Sequence, residues 1–299
     1  MIPWDEVVAG ASELLDRPLT TLGPTARGES GSTLRVRDST DVELIIKVLA
    51  DHATAIDDQR RLLRIVAALR DTGYPAPEHL GVGRTGELVF NVQRVLPGDL
   101  LEPAPGVRSD AALLDRVVPQ VLDVVELQRD AGDLAAPPWP GWLLDTIERG
   151  GDGYCLHGTM RRRADTSQLL DRLIALARRH AVGPCRNRDV VHFDLNPANL
   201  LHVDGWLTGI VDWNVPFAGA AQGDRGFDVA TLLFYLYDHE PSRRRLWDVA
   251  IATSGPDWVT VYLCHLVLRQ VEWSVRHRAG SDEEDRYLRI AQEVLDGLG

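Results

Sequence analysis

Val190 to Leu201 reads V-V-H-F-D-L-N-P-A-N-L-L. Two apolar residues lead into His192, Asp194 follows, Asn199 stands five residues further on, and two leucines close the stretch. Thirteen residues past Asn199 comes Asp212, directly after the apolar, strand-like run Leu207-Thr208-Gly209-Ile210-Val211. Taken singly, each polar residue has a plain explanation. Asn196-Pro197 is a turn signal, Asp194 suits a turn, Asp212 suits a strand end, and a lone His is usually packed in a core. Turn chemistry accounts neither for the fixed spacing nor for the apolar strands on both sides of the loop.

An H-x-D-x-x-x-x-N loop followed at this distance by a strand and an Asp is the layout of a phosphoryl-transfer site. A hydroxyl that attacks the terminal phosphate of ATP must lie in line with the leaving oxygen and lose its proton, and a carboxylate within reach does both. Asp194 is the candidate. The triphosphate must also be neutralised, and Mg2+ takes a few protein oxygens beside water and phosphate. Asn199 and Asp212 would supply those oxygens. His192 would tie the loop to the core.

These residues resemble the catalytic loop and metal-binding Asp of the protein-kinase-like fold. More narrowly, the stretch looks like the aminoglycoside phosphotransferase family, with its choline-kinase and homoserine-kinase relatives. The resemblance implies ATP and Mg2+ as cofactors. It also implies an α+β, two-lobed fold, with a small antiparallel-sheet N-lobe and a larger helical C-lobe. Phe193 stands where regulated protein kinases carry an Arg, and Asn196 where they carry a Lys, which suits the antibiotic-kinase group. Asp228 in G-D-R-G-F-D-V either caps the apolar helix that it opens or, by resemblance, bonds back to the catalytic loop. Asn214 departs from the acidic residue that many relatives have there.

Composition bounds the alternatives. The chain has 299 residues, 44% hydrophobic and 25% charged, which is ordinary for a soluble globular protein of two domains or lobes. A net charge of -12 argues against nucleic acid or an anionic membrane as the partner and permits a cationic substrate. Cys155, Cys185 and Cys264 are scattered without a C-x-x-C, so neither a zinc site nor a disulfide framework is indicated. The acidic start M-I-P-W-D-E-V-V is not a signal peptide, and no apolar run approaches the ~18 residues of a membrane span. A cytoplasmic protein, monomer or homodimer, is expected.

Outward from the loop, Trp4 to Arg17 has helical spacing. Three strands are expected between Leu19 and Ala50. Gly28, Ser30, Gly31 and Ser32 lie in the first turn, where small residues let backbone N–H groups approach phosphate, although a plain hairpin turn predicts the same letters. Lys47 closes the apolar run Leu44-Ile45-Ile46 and matches the family's phosphate-holding lysine. The helix expected over 54–72 lacks the Glu that usually pairs with that lysine; Asp57, Asp58 and Gln59 are the polar options. A strand over 88–96 would carry the adenine-binding backbone at Gln93 to Val95, by resemblance. Helices are expected over 110–130 (with Pro119 inside), 166–181, 247–254, 257–278 and 284–298. Residues 135–163 read as an irregular insertion over the substrate. The resemblance puts the nucleotide-binding lobe at 1–97 and the catalytic and substrate-binding lobe at 98–299.

The function expected is ATP-dependent O-phosphorylation of a small, cationic hydroxylated molecule, such as an aminoglycoside or a basic peptide antibiotic. Glu272 and Asn214 are substrate candidates. The runner-up is a choline, amino-alcohol or sugar kinase, and the opposed class is a nucleotide-binding pseudokinase.

Overall fold

The computed structural model describes residues 2–25, 32–49, 55–102, 110–213 and 221–298. The fold is α+β and groups into two compact units, Met1–Asp99 with Leu201–Gly219, and Leu100–Leu200 with Ala220–Gly299.

The first unit is built on an antiparallel sheet of β1 (Leu19–Pro24), β2 (Thr33–Asp38), β3 (Glu43–Leu49), β4 (His79–Thr85) and β5 (Leu88–Arg94), in the order β1-β2-β3-β5-β4. Side chains alternate across a strand. Leu44, Ile46 and Val48 therefore share one face with Phe90 and Val92, and α1 (Trp4–Leu15) buries Val7 and Ala11 against it. The opposite face carries Ile45 and Lys47. There α2 (Ala55–Asp71) packs Ile56 and Leu63 on Val82 and Val89. Lys47 is paired with Asn91, and Gln93 with both Ile45 and His79, so a polar row shares this second face.

The polar turn between β2 and β3 is closed by Asp38, which accepts from Thr40 N, Thr40 Oγ1 and Val42 N at 2.9, 2.7 and 3.0 Å. The Thr40 hydroxyl, with those backbone N–H groups and Arg17, holds the Asp38 carboxyl down at about 2, against its burial. The strand β4 has no counterpart among the expected strands. Its sequence, HLGVGRT, hides the alternation behind two glycines. Gly83 is there for space, because a Cβ would lie 2.4 Å from the Phe90 ring.

After β6 (Asp99–Leu100) the chain leaves this unit and returns at Leu201. The hairpin of β8 (Leu200–Val203) and β9 (Trp206–Ile210) turns through Asp204 and Gly205, both at positive φ, as a two-residue turn between antiparallel strands requires. It is fastened where Ile210 N donates to Pro75 O at 2.8 Å and Thr208 Oγ1 to Pro97 O at 2.7 Å. The Trp213 ring meets Tyr74 edge-on at 5.5 Å.

The second unit is helical: α3 (Ala111–Val125), α4 (Gly141–Arg149), α5 (His157–Met160), α6 (Ala164–His180), α7 (Gly226–Tyr235), α8 (Glu240–His277) and α9 (Asp282–Leu298), with a two-stranded ladder of β7 (Asp189–Val190) and β10 (Gln222–Gly223). Asp110 caps α3, which runs through Pro119 and ends in a 3-10 turn, Glu126–Gln128, short of the expected Asp130. α8 is two helices joined at Gly255, whose φ of 80° breaks the helical path before Pro256. Its second half is apolar on nearly every side from Trp258 to Leu268 and is buried throughout, as such a helix must be. Residues 135–163 are not a loose insertion. Trp139, Leu143 and Ile147, spaced at one helical turn, are buried, and Trp139 packs on Phe227 and Tyr262. The three cysteines are free thiols, and no helix among the described residues is long and apolar enough to cross a membrane.

Gly98 has a φ of +121°, and a Cβ there would meet the His202 carbonyl oxygen at 2.7 Å. Gly98→Ala should therefore lower stability by about 1–3 kcal/mol. The urea midpoint reads this directly, and an unchanged midpoint would show that the hairpin yields at no cost.

Candidate active site

The loop His192–Asn199 follows β7. Val191 N donates to Ala221 O at 3.0 Å, which brings the chain off the ladder. The backbone then turns through Phe193 at a φ of 72°, a left-handed conformation that costs a bulky residue about 1–3 kcal/mol. The turn points the N–H groups of His192 and Phe193 inward, and the fully buried Asp228 on α7 accepts them at 2.7 and 2.9 Å. Gln128 Nε2 adds a third bond to the same carboxylate at 2.9 Å. Asp228 is thus an anchor for the loop and not the helix cap; Arg225 holds the cap position. Burial pushes the Asp228 carboxyl up to about 7, against the pull of those three donors.

Downstream, Asn196 Oδ1 accepts from Ala198 N at 2.9 Å and closes a 3-10 turn, Pro197–Asn199. Asn199 Nδ2 donates back to Asp194 O at 2.9 Å, with Asp194 Oδ2 at 3.3 Å. One carboxylate and one carboxamide are thereby fixed on a single closed loop. The amide nitrogen of Asn199 is spent within it, and its oxygen is the atom left for a ligand. His192 is buried, with Asp194 N at 3.4 Å from its Nδ1.

In the first unit the Lys47 ammonium bonds the Asp212 carboxylate, with Lys47 14% and Asp212 39% exposed. Asp212 follows β9 at a φ of 66°, so the hairpin's exit turns it towards β3. The two residues are 165 apart in sequence. Asp58 on α2 leaves its buried Oδ2 without a hydrogen bond among the described residues. Ser32 O accepts from Val48 N at 2.8 Å. Gln93 is buried at the end of β5, and Val95 just beyond it is 39% exposed. Ser30, Gly31 and Asn214 lie outside the described residues.

The sequence pattern described as the phosphotransferase enzyme family matches residues 21–264. The chain belongs to that family. Its fold is similar to that of a thermostable mutant of aminoglycoside phosphotransferase APH(4)-Ia, seen in a ternary complex with ADP and hygromycin B. The two are 16% identical with a TM-score of 0.68, over 97% of this chain and 98% of the other. It is also similar to the amicoumacin kinase hAmiN in complex with AMP-PNP, Ca2+ and Ami, at 13% identity and a TM-score of 0.62, over 99% and 94%. A putative fructosamine-3-kinase from Thermobifida fusca YX-ER1 follows at 16% identity and 0.59, over 97% and 98%. No curated protein sequence matches the chain significantly.

Several residues that serve the phosphotransferase's loop carry no mark in the sequence reading. Asp189, fully buried, accepts from Arg225 Nη1 at 3.0 Å and Arg186 Nη2 at 2.9 Å, and Arg225 Nη2 reaches Glu126 at 3.0 Å. This network fixes the strand that delivers the loop. Arg269 on α8 reaches Asp194 itself. The available signal was a charge inside the run Leu266-Val267-Leu268-Arg269-Gln270-Val271, where a buried helix otherwise stays apolar. Glu272, a substrate candidate from sequence, is fully buried, with Arg276 Nη2 at 3.2 Å from its Oε2. In the acidic start of α9, Glu284 is also buried, bonded to Arg163 and to Gly280 N.

The high carboxyl pKa of Asp228 has a sign that can be tested. The folded protein holds this proton up to about pH 7, while the unfolded chain releases it near the ordinary carboxylate value. The carboxyl's contribution to stability is therefore full at low pH and falls as pH rises through about 7. Asp228→Asn also leaves one loop N–H facing an amide N–H2, at a cost of about 1–3 kcal/mol. The penalty of Asp228→Asn, measured by urea unfolding from pH 4.5 to 8, should shrink as pH rises. A penalty that grew with pH would contradict this.

Proposed function

We propose that the chain transfers the γ-phosphoryl group of ATP to a hydroxyl of a small cationic acceptor. The observation that carries this reading is the closed loop in which Asp194 and Asn199 hold each other. Asp194 would orient the acceptor hydroxyl and take its proton as the bond to phosphorus forms and the bond to the leaving oxygen breaks. Lys47 would hold phosphate oxygens, with Ser30, Gly31 and Ser32, and the backbone from Gln93 to Val95 would receive the adenine. Residues 1–97 would form the nucleotide-binding lobe and 98–299 the catalytic and substrate-binding lobe.

The donor set fits Mg2+. Asn199 offers a carboxamide oxygen and Asp212 a carboxylate that already accepts a cation, the Lys47 ammonium. Mg2+ takes only a few protein oxygens beside water and phosphate. When bound, Mg2+ would neutralise charge on the phosphate oxygens.

Asp194→Asn should lower kcat by about 10^2 to 10^4-fold and leave ATP binding almost unchanged. The assay is ADP release with a panel of hygromycin B, other aminoglycosides, a basic peptide antibiotic, choline and a fructosyl amine. Wild-type kcat in Asp194→Asn would end the assignment.

A cationic acceptor is supported by the net charge of -12. An acidic protein attracts a cation and gains nothing from its overall field in binding ATP, and salt screens that attraction over about 8 Å at physiological ionic strength. Phosphorylation of such an antibiotic in the cytoplasm would confer resistance. Raising salt should therefore increase KM for the acceptor more than KM for MgATP. An uncharged sugar preferred at every salt concentration would refute the cationic acceptor and leave the kinase reading standing.

A further inference from the structure

The Asp194 carboxylate is not free in its loop. Arg269 Nη2 donates to Asp194 Oδ1 at 2.5 Å, and Nη1 of the same guanidinium donates to Phe193 O at 3.0 Å. The guanidinium also lies over the Phe193 ring, 5.2 Å from its centroid. Side-chain exposure is 18% for Arg269 and 26% for Asp194. Burial pulls the guanidinium's pKa down, but the charge of Asp194, with Tyr235 and Cys155 nearby, outweighs it, so Arg269 stays a cation.

The contacts form a clamp. Phe193 is held in its left-handed turn from two elements at once: its N–H is bonded by Asp228 on α7, and its carbonyl by Arg269 on α8. The same guanidinium takes one oxygen of the next residue's carboxylate. Arginine's planar fork suits this two-point grip, whereas a lysine ammonium is a point charge without that fixed geometry. Among the described residues, Asp194 Oδ2 is left with the 3.3 Å contact from Asn199 Nδ2.

We propose that Arg269 is a positioning residue for phosphoryl transfer: it fixes the Asp194 carboxylate through Oδ1 so that Oδ2 is the oxygen presented to the acceptor hydroxyl. This rests on the reading of Asp194 as the catalytic carboxylate. Where the transition state is loose, catalysis is mostly positioning. What the guanidinium contributes is a single orientation of the carboxylate, and a displacement of about 1 Å at such a site costs ~10^2-fold in rate.

The test is a double-mutant cycle in the full-length enzyme, assayed with γ-labelled MgATP and hygromycin B, or the panel member with the highest turnover. Arg269→Gln should lower kcat by roughly 10 to 100-fold while KM for MgATP stays at the wild-type value. Arg269→Lys, which keeps the charge and loses the fork, should recover part of that loss. In the Asp194→Asn background the Arg269→Gln change should have almost no further effect on the residual rate, because the arginine acts through the carboxylate. A merely structural arginine would lower the rate by the same factor in both backgrounds. Should Arg269→Gln not fold, Arg269→Lys is read in the same cycle. Wild-type kcat in Arg269→Gln, or full additivity with an impaired Asp194→Asn, overturns this inference alone. Wild-type kcat in Asp194→Asn overturns the catalytic reading beneath it.

Discussion

A buried carboxylate receiving two backbone N–H groups is the constraint on which the second unit's site depends. The loop that carries Asp194 turns at Phe193, which is held in the left-handed region. Such a turn aims its amide protons into the interior, where an unmet donor is expensive. Asp228 meets both, and Gln128 from the far end of α3 steadies it. An asparagine in its place would turn an N–H2 group towards one of the two donors. The burial that this arrangement demands is also what makes the carboxyl reluctant to ionise.

The first unit handles its lysine differently from the pattern implied by resemblance. A helix glutamate would hold the ammonium from α2, and this chain has none. The ammonium instead bonds Asp212, the carboxylate read as a metal ligand. In the proposed reaction Lys47 would hold phosphate and Asp212 would hold the metal ion. Polar atoms on the same side of the sheet remain unsatisfied among the described residues, including Asn91 Oδ1 and both His79 nitrogens. Burial, with the charges of Lys47 and Arg70, keeps His79 neutral, its pKa lowered to about 4.

The parts of this structure legible from sequence are those where spacing carries the information. The α+β fold, the H-x-D-x-x-x-x-N loop and the helices with a clean 3.6-residue period were readable because one stretch of chain holds the whole signal. The strand β4 was not, because Gly81 and Gly83 erase the alternation that marks a strand, and the reason for Gly83 lies on another strand, at Phe90. Residues 135–163 looked irregular because Pro137-Pro138-Trp139-Pro140 and Gly150-Gly151-Asp152-Gly153 interrupt them, although Trp139, Leu143 and Ile147 recur at helical spacing and are buried. The pairings Lys47–Asp212 and Asp194–Arg269 join residues 165 and 75 apart, and no local pattern encodes a partner at that range. Glu272 looked available to a substrate, yet it turns out to be fully buried and bonded by Arg276.

The discontinuity of the first unit bears on how the protein is made. Its sheet is complete by Arg94, but the hairpin that fastens to Pro75 and Pro97 and brings Asp212 to Lys47 belongs to residues after Leu200. A ribosome adding about 5–20 residues per second delivers that hairpin roughly ten to thirty seconds after Lys47. Throughout that interval the nascent sheet lacks the carboxylate that its lysine bonds in the finished fold, and the carbonyls where the hairpin will dock still face water. Release of the first hundred residues as a separate fragment would leave that unit without its hairpin, so the crossing after Asp99 is not a place where the chain can be cut.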